Sequence, residues 1–173
     1  MQKQKQIKES QSSGKATKRI AMIRIRGDVH MWKEIRDTLR HLNLSVVNNC
    51  VVIDDRQEYK GMITKVKDYT TWGEIDAKTF NKLLKKRGAV NKDAKFDDKY
   101  MKENTKYASI DEFADAFMNL KAEMKEIPNS KKNFRLNPPL KGHARGGIKM
   151  PVTLGGAIGY RGKKINDLLE RMI

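Results

Sequence analysis

Residues 131–164 carry nine Lys or Arg and not one Asp or Glu, and all four prolines and seven of the twelve glycines fall between Pro128 and Gly162. A stretch so poor in large apolar side chains cannot bury enough surface to offset the entropy of ordering it. Its positive charge is uncompensated, so it needs a partner. A polyanion is the partner its chemistry selects, because each Lys or Arg set against a phosphate backbone releases condensed counterions whatever the base sequence. The expectation is a basic arm without a core of its own that folds on nucleic acid, attached to a body that the rest of the chain must supply.

The bulk numbers agree. A chain of 173 residues holds one domain of ordinary size with room for an appended lobe. Its 37 basic and 21 acidic residues give a net charge of +16 and a pI near 9.9. Charge on that scale can simply solubilise a surface, but here it is clustered, which favours nucleic acid. A membrane surface ranks third: no apolar run approaches a bilayer-spanning length, and the basic N-terminus lacks the apolar stretch of a signal peptide. The expected location is the cytoplasm. Cys50, the only cysteine, sits in the apolar stretch 46–53, where it reads as a small packed hydrophobe; no disulfide is possible within one chain.

Along the chain, residues 1–18 are Gln, Lys and Ser with one isoleucine and read as a disordered basic tail. Residues 19–26 read as a strand closed by Gly27 and Asp28. A helix follows, with Met31, Ile35, Leu39 and Leu42 on one stripe and Lys33, Arg36, Asp37 and Arg40 on the other face. Residues 46–54 return to strand composition, 57–67 suggest a short helix, and 69–75 a third strand. Strand, helix, strand, helix, strand in about sixty residues is too small for a doubly wound sheet. The predicted fold class is α+β: a three-stranded sheet with two helices on one face as a core over 19–75. A helical extension is expected over 76–130, and a basic arm ending in a helix over 131–173. Within the extension, Asp76 is a candidate N-cap and Lys85, Lys86 and Arg87 precede Gly88 in a last turn. Residues 91–104 are expected to be a loop with at most one short helix. Ser109 and Glu112 have capping-box spacing ahead of Phe113, Phe117, Leu120 and Met124.

Catalytic constellations are weak. His30, His41 and His143 share no metal-binding spacing, and Asp54–Asp55 and Asp97–Asp98 are adjacent pairs that read as solvated turn residues. Gly162–Lys163 lacks the glycine and the Ser or Thr that a phosphate-binding loop needs at 157 and 164. Gly159 to Gly162 has the spacing of a nucleotide-clamping GXXG loop, but the approach from Pro151 to Gly156 is not helical; only its physics survives, in which small residues let the backbone approach a phosphate. No enzyme, metal or cofactor is predicted.

RNA-type contacts are better represented. In the arm the candidates are Arg135, Lys141, His143, Arg145, Lys149, Tyr160, Arg161, Lys163 and Lys164. Lys163 and Lys164 occupy the first turn of the last helix, where positive charge opposes the helix dipole unless a phosphate docks there. In the core, Lys60, Lys65 and Lys67 are followed by Tyr69 and Trp72, an interleaving of cations and aromatics that suits RNA but equally suits a packed core with a solvated face. Arg24 and Arg26 alternate along the first strand, leave the same face, and are candidates for an RNA-facing edge.

Two separated sets of motifs resemble one known family. FRLNPP at 134–139, GHARGGIK at 142–149 and LGGAIGYRGKKINDLL at 154–169 resemble the C-terminal part of the L-thirty family of large-subunit ribosomal proteins, in its long archaeal form related to eukaryotic L-seven. IAMIRIRG at 20–27, NNCVVID at 48–54 and YKGMITKVKDY at 59–69 resemble its N-terminal part, in the right order. The resemblance covers the chain from about Arg19 onward and is weakest over 91–106. It implies a core related to the ferredoxin-like fold and a structural role in the large ribosomal subunit. The implied partners are large-subunit ribosomal RNA, with 5S RNA as a candidate, and neighbouring ribosomal proteins; no membrane or small-molecule substrate is implied. An assembly factor that visits precursor RNA is the alternative, and a nucleic-acid-modifying enzyme ranks below it.

Overall fold

In the computed structural model, which describes residues 18–90 and 96–173, the isoleucine-rich run after Lys18 forms strand β1, Arg19–Arg24. It lies between β2, Asn49–Asp54, and β3, Thr70–Glu74, and is antiparallel to both. Helix α1, Lys33–His41, joins β1 to β2, and α2, Gln57–Val66, joins β2 to β3. The predicted alternation is present. Residues 1–17 of the expected tail and residues 91–95 of the expected loop lie outside the described residues.

The period of two along a strand sends Met22, Val51 and Ile53 to one face, where Leu39 and Leu42 from α1 and its following turn, and Ile63 and Val66 from α2, cover them. Ala21, Ile23, Cys50 and Val52 point the other way. That second face is also covered. Helices α3, Ala77–Arg87, α5, Ile110–Met118, and α6, Ile165–Met172, pack Phe80, Leu84, Phe113, Phe117, Leu168 and Leu169 into the same cluster. The sheet is therefore a middle layer, which explains why β2 reads as a continuous apolar run and not as an alternation. Helix α4, Asp98–Asn104, is the one short helix among the described residues of the predicted polar stretch and buries Met101.

Local signals mostly act as the sequence suggests. Ser109 Oγ accepts from the N–H of Glu112 at 3.3 Å, while the Glu112 carboxylate reaches back to the N–H of Ala108 at 2.8 Å, one residue beyond a strict capping box. At the end of α3, Arg87 donates to the carbonyl of Ile173 at 2.7 Å and ties the helix to the C-terminus. Asp76 stands at the N-cap of α3 without a side-chain capping bond, because its carboxylate accepts instead from Asn166 Nδ2 at 3.1 Å. Asp54, expected in a solvated turn, is buried: it pairs with Arg19 and, at 2.7 Å, with Arg56.

The arm departs most from expectation. Strand β4, Phe134–Arg135, pairs with β2, and β5, Gly159–Tyr160, runs parallel to β3, so the sheet has five strands in the order β4-β2-β1-β3-β5. The two ends of the arm thus form opposite edges of the sheet, and Phe134, Leu136, Ala157 and Ile158 are buried there. A segment predicted to lack a core borrows one. What remains exposed is the stretch between, where Lys141, Gly142, Arg145, Gly146, Ile148, Lys149 and Met150 face solvent. It is closed by bonds from Gly146 N–H to Gly155 O at 3.0 Å and from Ala157 N–H to Met150 O at 3.0 Å. Gly156 is held so close to Met150 O that a Cβ could not fit, so part of the glycine content serves the arm's own closure.

Candidate nucleic-acid interface

The pairing register fixes where the arm crosses. Arg135 stands opposite Asn49, the first residue of β2, and Gly159 opposite Thr71 near the start of β3. The arm therefore passes over the end of the sheet at which β2 and β3 begin and β1 finishes. Arg26 follows β1 at that end, and Lys65 and Lys67 lie where α2 gives way to β3. The structure brings these three together with Arg135, Lys141, Arg145 and Lys149 at one end of the molecule. All but Arg26 are exposed.

Arg24 does not belong to that group. Both faces of the sheet are covered, so a side chain on the same face as Met22 runs beneath the helices, and Arg24 is 1% exposed. Its guanidinium donates to the carbonyls of Arg26 at 2.9 Å, Leu44 at 3.0 Å and Ser45 at 2.6 Å and pairs with Asp28. With these donors satisfied inside the chain, Arg24 is a strut that joins the loop after β1 to the loop before β2, not a phosphate contact. Arg26 does face outward. It lies over the Tyr69 ring at 5.0 Å and donates to Asp68 O at 3.1 Å, a geometry that leaves donors for a partner.

A second set lies toward the other end. Lys60 lies there in the first turn of α2 and pairs with Asp55 at 3.3 Å. Tyr160, 57% exposed, donates its hydroxyl to Glu74 at 2.7 Å, a bond that holds the Glu74 carboxyl below its usual range and pushes the Tyr160 phenol up. Lys163 and Lys164 are exposed in the turn before α6, and the Glu74 carboxylate feels the Lys163 charge, which offsets part of the unfavourable dipole contact there. Trp72 is half-buried against the α1–α2 cluster, so the packing alternative holds for that aromatic. Burial pushes the Cys50 thiol up to about 12, which leaves it an unreactive core residue.

His143 and Arg161 are only partly buried, and each has its pKa lowered, first by desolvation and then by neighbouring arginines. Arg171, unremarkable in sequence, is one of those neighbours for both. Asn166 and Arg19 also tie distant elements together, and spacing gives no signal for either, because Asn166 meets Asp76 and Arg19 meets Phe117 across about ninety or more residues. Trp32, 77% exposed beside Val29 at 83%, is a further surface feature without a periodic signature.

A sheet buried between helical layers thus carries, across one end, a basic arm that is free of acids over residues 131–164. Residues 20–70 match the family described as ribosomal protein L30p/L7e. The chain is 54% identical over 149 residues to the large ribosomal subunit protein uL30 of Methanopyrus kandleri, covering 86% of this chain and 100% of that protein. It is 44% identical over 153 residues to the proteins of the same name from Methanosphaera stadtmanae and Methanococcus maripaludis, covering 88% of this chain and 99% and 98% of theirs. The chain belongs to the L30p/L7e family of ribosomal proteins.

Proposed function

We propose that this protein is a structural constituent of the large ribosomal subunit in the cytoplasm, binding large-subunit ribosomal RNA in fixed stoichiometry and without catalytic turnover. The observation that carries the reading is the arm: nine cations without an acid between residues 131 and 164, held at both ends by the sheet and projecting its middle over the end where Arg26, Lys65 and Lys67 gather. Phosphate contacts from such a surface set position without reading sequence, and the layered body gives the surface a rigid mount. Neighbouring ribosomal proteins are the expected protein contacts, and 5S RNA is a candidate second RNA.

Sedimentation of subunits through high salt tests this reading. A constituent remains with the large subunit, whereas a transient factor washes off. Ultraviolet cross-linking on intact subunits should join the RNA to residues 141–149 in preference to α1.

A further inference from the structure

We propose that Arg161, Arg171 and His143 form a pocket for a single phosphodiester of the ribosomal RNA, a reading that rests on the RNA-binding function proposed above. Arg161 follows β5, and its half-buried guanidinium is held by Nη2 on Ala157 O at 3.0 Å and by Nε on Thr71 Oγ1 at 3.4 Å. Arg171 comes from the last turn of α6 and reaches Gly142 O at 3.3 Å and Leu140 O at 3.5 Å through Nη1. That contact brings it to the residue before His143.

Every acceptor these two arginines use is neutral. Among the described residues neither has a carboxylate within ion-pair distance, whereas the buried Arg19 and Arg24 each have one. Glu170, next in sequence to Arg171, is turned to Lys82 at 3.6 Å. Within the described residues, Nη1 of Arg161 and Nε and Nη2 of Arg171 are left without acceptors, and a guanidinium carries five donors. The Nδ1 atom of His143 is buried and has no hydrogen-bond partner among the described residues. An orphaned buried nitrogen is uncommon in a folded protein.

The three groups are near enough to repel. Arg171 lowers the pKa of Arg161, and both lower that of His143, in each case after desolvation. Gathering like charges where water is partly excluded costs folding energy. The C-terminal turn of α6 favours a cation at Arg171, which suits the helix dipole, but it does not account for Arg161. A phosphate would turn the repulsion into attraction and supply the missing acceptors, with the planar guanidinium groups matching its oxygens.

The test has two arms on the full-length chain. In the first, arginine Nε–H and imidazole signals are followed by NMR while inorganic phosphate is added against chloride at equal ionic strength. Phosphate should shift Arg161, Arg171 and His143 together and saturably; absence of a saturable shift overturns the pocket. In the second, binding to large-subunit ribosomal RNA is measured against salt for the native chain, for Arg161→Gln with Arg171→Gln, and for the charge-matched Lys33→Gln with Arg40→Gln. The first pair should lower the log–log slope by about one phosphate's worth, ~0.7–0.9, and the second should leave it unchanged. A saturable phosphate shift with an unaltered slope overturns the RNA phosphodiester as the ligand and leaves a free-anion site. Failure of the native chain to bind the RNA overturns the function proposed above and the RNA ligand with it, while the first arm still decides the pocket. If the double variant does not fold, Arg171→Lys, which keeps the charge and loses the fork, replaces it and should bind inorganic phosphate roughly tenfold more weakly; unchanged affinity overturns the assignment.

Discussion

The side-chain amide of Asn166 and the backbone of Asp76 are bonded to each other across ninety residues. Asn166 Oδ1 accepts from the Asp76 N–H at 3.0 Å, and Asn166 Nδ2 donates to the Asp76 carboxylate at 3.1 Å, to Glu74 O at 3.2 Å and to Lys163 O at 2.9 Å. One buried amide thus fastens the terminal helix to the junction of β3 and α3. Asn166→Leu leaves the Asp76 N–H and two carbonyls without their partner in a part-buried site, so it should cost about 1–2 kcal/mol of unfolding free energy. Urea denaturation measures this, and a change below a few tenths would show that water replaces the amide.

Arg19 plays the corresponding part on the other side of the body. Its guanidinium lies 3.8 Å from the centroid of the Phe117 ring, donates to Phe117 O at 2.8 Å and to Ala122 O at 2.7 Å, and pairs with Asp54. It closes the C-terminal end of α5 onto β1. Desolvation lowers its pKa to about 10, still far above neutrality, so the charge persists in the folded state. Arg19→Met leaves Asp54 with only the half-exposed Arg56 and should destabilise by roughly 3 kcal/mol. The expected readout is a lowered denaturation midpoint with the secondary structure of the remaining native state unchanged by circular dichroism.

Gly73 in β3 faces the backbone of Gly162 so closely that a Cβ would overlap the Gly162 carbonyl. Gly73→Ala should push the turn before α6 away from the sheet and cost about 2 kcal/mol. Hydrogen exchange should then quicken at Arg161, whose N–H bonds Trp72 O at 2.8 Å, and not in β1 or β2.

His143 makes stability depend on pH. Its folded pKa lies below the ordinary 6.5, because burial and the Arg161 and Arg171 charges disfavour the imidazolium. The unfolded chain therefore binds a proton more readily. This contribution is intact above pH 6.5 and is lost as pH falls through that value toward the lower folded pKa. The native protein should lose stability over that window more steeply than His143→Gln, as thermal unfolding at a series of pH values measures.

Periodicity made the central β1 to β3 unit and its two helices legible, because apolar stripes on α1 and apolar runs in the strands are local signals. The second helical layer leaves no such signal, since nothing in the spacing of Phe113 and Phe117 says what they pack against. Arg24 shows the cost: alternation gave its face correctly, but whether that face meets RNA or a helix depends on tertiary covering. The arm was recognised by charge, yet two-residue strands such as β4 and β5 leave no pattern to read, so its anchorage to both sheet edges was invisible. Arg171 lies outside the basic segment in sequence, and only the fold brings it to Gly142.

If the arm and not overall charge carries recognition, incorporation into large subunits should depend on which cations are changed. Arg145 and Lys149 are exposed on the projecting stretch, while Lys33 and Arg40 are exposed on α1. Arg145→Glu with Lys149→Glu should abolish stable incorporation with the body still folded, since two phosphate attractions become repulsions. Lys33→Glu with Arg40→Glu changes the net charge equally and should incorporate nearly as well as the native chain. Equal loss in both, with each variant folded by circular dichroism, would assign recognition to net charge alone and not to the arm.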